Sequence, residues 1–169
     1  MNQSVEWLNS LPNDLAEAEF LKCCGSKRWA ERMVAARPFS DVEQLLSQSD
    51  EIWWSLDADD WLAAFRAHPK IGGKKAAAAQ SPEAQSWSAQ EQSAMANASA
   101  QARRRLADLN EKYEEHFGFI FIVCATGKSP AEMLAILEGR LGNDRPTELR
   151  TAAEEQRKIT RLRLAKLTQ

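Results

Sequence analysis

The chain has few of the residues that build disulfide-bonded, metal-binding or membrane-spanning proteins. Of its 169 residues, three are cysteines and two are histidines. Cys23, Cys24 and Cys124 are odd in number and lack CxxC spacing, so they predict free thiols in a reducing compartment. The longest apolar run, residues 119–125, is far shorter than the roughly 20 residues that cross a bilayer. These shortages argue against a disulfide framework and against a membrane protein.

From the residues at its two ends, we expect no targeting signal in this sequence. Residues 1–15 lack the basic start and the unbroken apolar stretch of a secretory signal. Leu167-Thr168-Gln169 differs from the Ser-Lys-Leu type of peroxisomal ending. The net charge of -2 gives no long-range attraction to nucleic acid. We therefore expect a cytoplasmic protein that binds neither nucleic acid nor membrane.

β-Branched residues are also few, whereas alanine, leucine, glutamate and glutamine dominate, and this composition favours helices. The length suits one domain over residues 1–169. The sequence predicts an all-α fold, a single irregular bundle of about seven to nine helices with one short extended segment near 119–125. The predicted helices cover about 14–24, 26–36, 40–53, 57–68, 88–117 and 129–141, and a last one begins at 147.

Capping signals place several of these helix ends. Ser40 with Glu43 and Ser88 with Glu91 have capping-box spacing, and Ser129 precedes a proline at the first helical position. The stretch over residues 72–85 is rich in small and polar residues and predicts a loop with room for one helical turn. The predicted helix start at Ser88 has two interpretations, which are compatible with each other. Ser88 is a structural cap, and the helix terminus receives polar groups of a ligand.

His68 is the candidate for proton transfer because imidazole titrates near neutral pH. Pro69 disfavours helical geometry at the residue before it, so a helix should end at about His68 and present the ring there. Two interpretations stay open at this point: a structural histidine at a helix end, and a general acid or base. His116, the other histidine, has no HExxH, CxxC or HxH partner, so we expect no metal site.

The apolar segment 119–125 has no second strand with which to form a sheet. Its backbone N–H and C=O groups must therefore find partners elsewhere. Cys124 lies in this apolar setting, which favours an inert thiol over a nucleophile.

Taken in order, three motifs resemble those of the 2-oxo-4-hydroxy-4-carboxy-5-ureidoimidazoline (OHCU) decarboxylases of urate breakdown. They are His68-Pro69 with Gly72, then Ser88-x-x-Glu91-Gln92, then Asn110-x-x-Tyr113 leading into Phe117-Gly118-Phe119-Ile120-Phe121-Ile122-Val123. Supporting matches reach from Arg37-Pro38-Phe39 through Arg140-Leu141 and Glu148 to Arg163-Leu164, so the resemblance covers nearly the whole chain.

The resemblance implies an enzyme that needs no cofactor or metal and converts OHCU stereospecifically to (S)-allantoin. It also implies an all-helical protein, commonly a homodimer. By position, the catalytic residues are His68 as acid/base, Glu91 to position the substrate and Arg163 as a carboxylate partner. The substrate-binding residues are Pro69, Ser88, Ala89, Gln90, Gln92, Phe121, Ile122, Val123, Cys124 and Ala125. The chain departs from the family pattern at Lys70, Ile120 and His116.

The implied chemistry suits such a site. When CO2 leaves the hydroxyl-bearing ring carbon, the adjacent imine of the substrate accepts the electrons, so no metal or pyridoxal group is required. Two other classes remain to be tested: a hydantoin or ureide hydrolase, and a non-enzymatic helical module whose basic C-terminal helix binds an acidic partner.

Overall fold

A computed structural model describes residues 4–69, 82–91, 93 and 98–169 of the chain. Within these ranges it contains nine α-helices and no β-strand, which confirms the all-α prediction. None of the helices described there is long and apolar enough to cross a membrane. The helices are α1 Val5–Ser10, α2 Asn13–Cys23, α3 Lys27–Ala35, α4 Val42–Ser55, α5 Ala58–Arg66, α6 Pro82–Glu91, α7 Ala100–Phe117, α8 Pro130–Arg140 and α9 Arg145–Leu167.

Several helices begin and end at the residues that the sequence indicates. Ser26 caps α3 by accepting a hydrogen bond from the backbone N–H of Trp29 at 3.2 Å. Ser129 caps α8 in the same way, and Pro130 follows it as the first helical residue. α7 ends at Gly118, whose φ of 84° lies in the left-handed region that glycine adopts without steric cost.

The predicted helix over residues 88–117 was wrong. α6 begins at Pro82 and ends at Glu91, so Ser88 lies in its interior and caps no helix. α7 begins separately at Ala100, where Ser99 caps it by accepting from the N–H of Ala102 at 3.1 Å. Within the stretch 72–85, for which a loop with one helical turn was expected, residues 82–85 form the first turn of α6, and residues 72–81 lie outside the described part of the chain.

Two other caps differ by one or a few residues from the prediction. The cap of α4 is Asp41, not Ser40: its carboxylate accepts from the N–H of Gln44 at 2.8 Å. α9 begins at Arg145, ahead of the predicted start at Thr147, since Asp144 accepts from the N–H of Thr147 at 2.8 Å. The short helix α1 was not predicted.

The chain divides into two compact units, Met1–Ala64 with Arg157–Gln169, and Phe65–Gln156. In the first unit Phe20 and Trp29 are fully buried and meet edge to face, with their ring centroids 5.9 Å apart. In the second unit an aromatic cluster surrounds Tyr113, whose ring lies 4.6 Å from that of Phe117 and 5.4 Å from that of Phe121. The assignment of residues 1–169 to one domain stays a prediction.

All three cysteines are buried in the described structure, and no disulfide joins them. This agrees with the thiols predicted from their number and spacing. Burial raises the pKa of Cys24 to about 11, against hydrogen bonds to Ser26 and Thr160 and the charge of Arg163, which lower it.

Candidate active site

His68 lies just beyond α5 and before Pro69, at the helix end that the sequence indicates. Its backbone N–H donates to the carbonyl of Phe65 at 3.1 Å, and its side chain is half-buried. The ring Nε2 lies 2.6 Å from Oε1 of Gln156, a fully buried side chain of α9. With the amide oxygen facing the ring, which is the orientation in this structure, the hydrogen bond requires the tautomer that carries its proton on Nε2. In the neutral ring the basic lone pair is then on Nδ1.

Glu91 is the last residue of α6 and is half-buried. Its charge reaches Cys124, whose thiol pKa is raised mainly by burial. Lys128 opposes that increase, while Glu155 and Glu91 add to it. The charge of Glu91 therefore acts on Cys124 within the second unit, and a raised pKa agrees with an inert Cys124 thiol. The contact of Glu91 with substrate stays a prediction.

Side chains, not a neighbouring strand, bind the backbone of the segment 121–125. The carbonyl of Ile122 accepts from Nη1 of Arg140 at 2.6 Å. The N–H of Cys124 donates to the carboxylate of Glu155 at 3.3 Å, and its carbonyl accepts from Nζ of Lys128 at 2.6 Å. The sequence predicted that these backbone groups need partners, and the structure supplies the partners from two helices and a turn.

Val123 lies between these anchored groups and is buried. Within the part of the chain that the structure describes, neither its N–H nor its C=O forms a hydrogen bond to protein. Phe121, also buried, shares this property. A buried backbone group without a partner is costly, so the Phe121 and Val123 groups are candidates for hydrogen bonds to a ligand.

A buried charged cluster, which we call the Glu148 cluster, lies behind this segment and consists of Tyr113, Arg140, Asn143 and Glu148. The fully buried carboxylate of Glu148 accepts from the Tyr113 hydroxyl at 2.5 Å, from Nε of Arg140 at 2.5 Å and from Nδ2 of Asn143 at 3.0 Å. The guanidinium of Arg140 also lies over the ring of Phe121, 4.6 Å from its centroid. Burial raises the pKa of Tyr113, so its hydroxyl stays protonated and donates.

The remaining predicted residues have different settings. Pro69 is half-buried next to His68, Ser88 is buried inside α6, and Ala89 and Gln90 on the same helix are exposed. Gln92 lies outside the described residues. Their contacts with substrate stay predictions.

Arg163 belongs to the first unit, where it is buried. Its Nη1 donates to the carbonyl of Lys22 at 3.2 Å, and its charge lowers the pKa of Cys24. Its predicted role as a carboxylate partner stays a prediction. Across the described ranges, no three histidine, cysteine or acidic side chains cluster as a metal site would.

Sequence reasoning missed Gln156, Glu155 and Lys128. Gln156 is 88 positions from His68, and no local spacing connects the two residues. Arg140 and Glu148 appeared only as supporting motif matches, and their shared contact became visible only in three dimensions.

Comparisons with known proteins agree with the sequence motifs. A sequence model described as OHCU decarboxylase matches residues 9–165. The chain is 41% identical over 155 residues to the uric acid degradation bifunctional protein TTL of Arabidopsis thaliana, over 91% of this chain and 48% of that protein. It is 31% identical over 163 residues to the 2-oxo-4-hydroxy-4-carboxy-5-ureidoimidazoline decarboxylase of Haloferax volcanii, over 96% of this chain and 94% of the relative. The chain thus spans about half of the bifunctional plant protein.

Solved structures share the fold. A crystal structure of OHCU decarboxylase in the presence of (S)-allantoin matches with a TM-score of 0.74 at 41% identity, over 89% of this chain and 96% of that chain. A crystal structure of (S)-allantoin synthase matches with a TM-score of 0.71 at 21% identity, over 97% of this chain and 54% of that one, and supports the fold alone.

Proposed function

The chain belongs to the OHCU decarboxylase family, and from that premise we propose that it converts OHCU to (S)-allantoin as a carbon–carbon lyase of urate degradation. One observation of the structure carries the proposal. A half-buried imidazole, held by the buried amide of Gln156, lies in the same compact unit as Glu91 and the segment 121–125.

The proposed reaction has two steps. The bond between the ring carbon and its carboxylate breaks and CO2 leaves. The electron pair forms a double bond to the ureido-bearing carbon, and the imine nitrogen gains the C=N pair and takes up one proton from solvent. His68 then accepts the hydroxyl proton as the ring ketone forms, and a proton is delivered to the ureido-bearing carbon on one face. His68 can perform both transfers in turn, because the proton that it gains is the one that it returns. Delivery to one face would give a single enantiomer of allantoin.

The neighbouring groups would hold the substrate. The backbone N–H and C=O of Val123 offer the donor and acceptor that a ureido group requires, and both are buried. Glu91 would accept hydrogen bonds from the ureido N–H groups or orient the ring. We also propose that Arg163 binds the substrate carboxylate, as the resemblance implies.

Chiral analysis of the product tests this function directly. Freshly generated OHCU is incubated with the protein, and the allantoin is followed by its circular dichroism. We expect rapid formation of one enantiomer. A ring-opened product would indicate a hydrolase instead, and no acceleration over the buffer reaction would indicate a binding module.

The chain offers matched variants for the two main roles. His68→Asn should lower kcat by about 10²- to 10⁴-fold, the usual contribution of a general acid or base. His116→Asn, at the exposed second histidine, should leave kcat within about twofold, because this ring lies on α7 against Phe117 and touches no proposed substrate group. Glu91→Gln should also slow turnover, whereas Glu83→Gln in the first turn of the same helix should not. Near-normal turnover by His68→Asn would refute the assignment of His68.

Three further proposals accompany this function: a homodimer, a single domain over residues 1–169, and a location in the cytoplasm. They are supported by the resemblance and by the composition of the chain. Analytical ultracentrifugation tests the dimer. We also propose that turnover needs no cofactor, so dialysis against a chelator should leave kcat unchanged.

A further inference from the structure

One partner of the His68 ring is the amide of Gln156, and an amide orients an imidazole differently from a carboxylate. Oε1 of Gln156 lies 2.6 Å from Nε2, and the amide side chain is 0% exposed. A carboxylate at this distance would favour the imidazolium and raise the pKa of the ring. An amide oxygen accepts the same hydrogen bond without a net charge, so it orients the ring without adding that stabilisation of the imidazolium.

Glu155, the residue before Gln156, is a carboxylate that bonds a different part of the same unit. Glu155 is also buried, but its carboxylate accepts from the N–H of Cys124 at 3.3 Å. Two successive residues of α9 therefore serve two parts of the same unit: the charged one binds the segment 121–125, and the neutral one binds the imidazole.

We propose that Gln156 is a positioning residue for the decarboxylation. By accepting the hydrogen bond from Nε2–H it fixes both the rotation and the tautomer of the His68 ring relative to the substrate. The effect on turnover rests on the proposed function, whereas the tautomer is a property of the protein without substrate.

Two substitutions separate positioning from packing. Gln156→Met keeps the length of the side chain and removes the acceptor, and we expect kcat to fall about 10- to 100-fold, with KM changed less than threefold. Gln156→Glu keeps an acceptor at the same place, so it should retain at least several-fold more activity than Gln156→Met. Its carboxylate should also move the acidic limb of the pH–rate profile up by about one pH unit.

The order of the two variants is the decisive result. If the site only needed to be filled, Gln156→Met would be tolerated better than Gln156→Glu, because a buried carboxylate costs more than a buried thioether. Glu91, Glu155 and Lys128, whose charges act on Cys124 in the same unit, are the same in both variants. Thr151→Val, elsewhere on α9, removes a hydroxyl that bonds only the carbonyl of Thr147 and serves as the control for small changes in this helix.

Nitrogen NMR of the imidazole gives a readout that needs no substrate. The chain has two histidines, so the spectrum of His116→Asn contains the ring of His68 alone. We expect a proton on Nε2 at neutral pH, and exchange of that proton should be faster in Gln156→Met. A proton on Nδ1 instead, or Gln156→Met at least as active as Gln156→Glu, would overturn the proposal. Absence of turnover by the unsubstituted protein would instead refute the proposed function, and with it the role of Gln156 in catalysis.

Discussion

Loss of the Glu148 charge should be the most damaging single change in the second unit. The carboxylate is 0% exposed and accepts three hydrogen bonds, from Tyr113, Arg140 and Asn143. Glu148→Gln keeps the shape of the side chain. It removes the charge that compensates the buried Arg140 guanidinium. It also places an amide N–H₂, which is a donor, opposite a group that itself donates a hydrogen bond.

The magnitude follows from the burial of the pair. Removal of one partner from a buried ion pair costs about 3–5 kcal/mol, because the other charge stays buried without compensation. Domains of this size are stable by about 5–15 kcal/mol, so the variant should fold but lose much of its stability. Tyr113→Phe removes the hydrogen bond to the carboxylate and the longer one that the hydroxyl accepts from Nη2 of Arg140 at 3.4 Å, and it should cost about 1.5–3 kcal/mol.

Urea unfolding followed by circular dichroism measures the change, and the chain contains a matched control. Glu138 forms an ion pair with Arg105 at 3.2 Å, in which the two side chains are 49% and 56% exposed. Solvent screens such a pair, so Glu138→Gln should cost less than about 1 kcal/mol. If Glu148→Gln were no more destabilising than Glu138→Gln, the buried carboxylate would not be the charge that compensates Arg140.

Glu148→Gln should also affect the candidate active site. Arg140 donates to both Glu148 and the carbonyl of Ile122, so an Arg140 that has lost Glu148 should hold the segment 121–125 less firmly. We expect a lower kcat/KM for OHCU in Glu148→Gln at urea-free conditions where the protein is still folded, and an unchanged kcat/KM in Glu138→Gln.

Three other predictions concern helix ends and buried thiols. Gly118→Ala should cost about 1–2 kcal/mol in thermal unfolding, because φ is 84° at that position, whereas Gly139→Ala inside α8 should stabilise by about 0.5–1 kcal/mol. Hydrogen bonds from Thr147 lower the pKa of Asp144 below its ordinary 3.8, so this carboxylate stabilises the fold above that pH and ceases to do so as the pH falls through the lowered pKa. Asp144→Asn should therefore flatten the acid limb of a plot of urea midpoint against pH, and an unaltered limb would contradict this. Cys24, with a pKa of about 11, and Cys124 should resist iodoacetamide at pH 8 until urea unfolds the chain, and rapid labelling of the native protein would contradict their burial.

Local signals in the sequence predicted most helix ends. Ser129 with Pro130 and the Phe117-Gly118 pair act within one turn of the chain, so the residues themselves carry the information. The division between α6 and α7 was not predictable in this way, because alanine and glutamine favour helix on both sides of Glu91. One signal was available: Pro82 followed by Glu83 has the same pattern as a helix start that was recognised at Pro130.

The candidate site was predicted in part, and the reason is again distance along the chain. The motif around His68 is a local feature of the sequence. The need of the segment 119–125 for hydrogen-bond partners for its backbone N–H and C=O groups is local as well. Side chains that bond these groups come from α8 and α9, which lie much later in the chain. The contact of His68 with Gln156, for example, joins residues 88 positions apart. A pattern of helix faces indicates that such residues are buried, but not which polar group each one meets.

In a β-sheet, main-chain pairing survives most replacements, because any residue but proline brings the same N–H and C=O to its neighbour. The stretch through Ile122 and Cys124 depends instead on Arg140, Glu155 and Lys128, three individual side chains. Exchange of Glu155 or Lys128 would therefore release one peptide unit of this stretch, whereas exchange of Arg140 would also break its buried ion pair with Glu148. A graft of this stretch onto another scaffold must carry all three side chains with it.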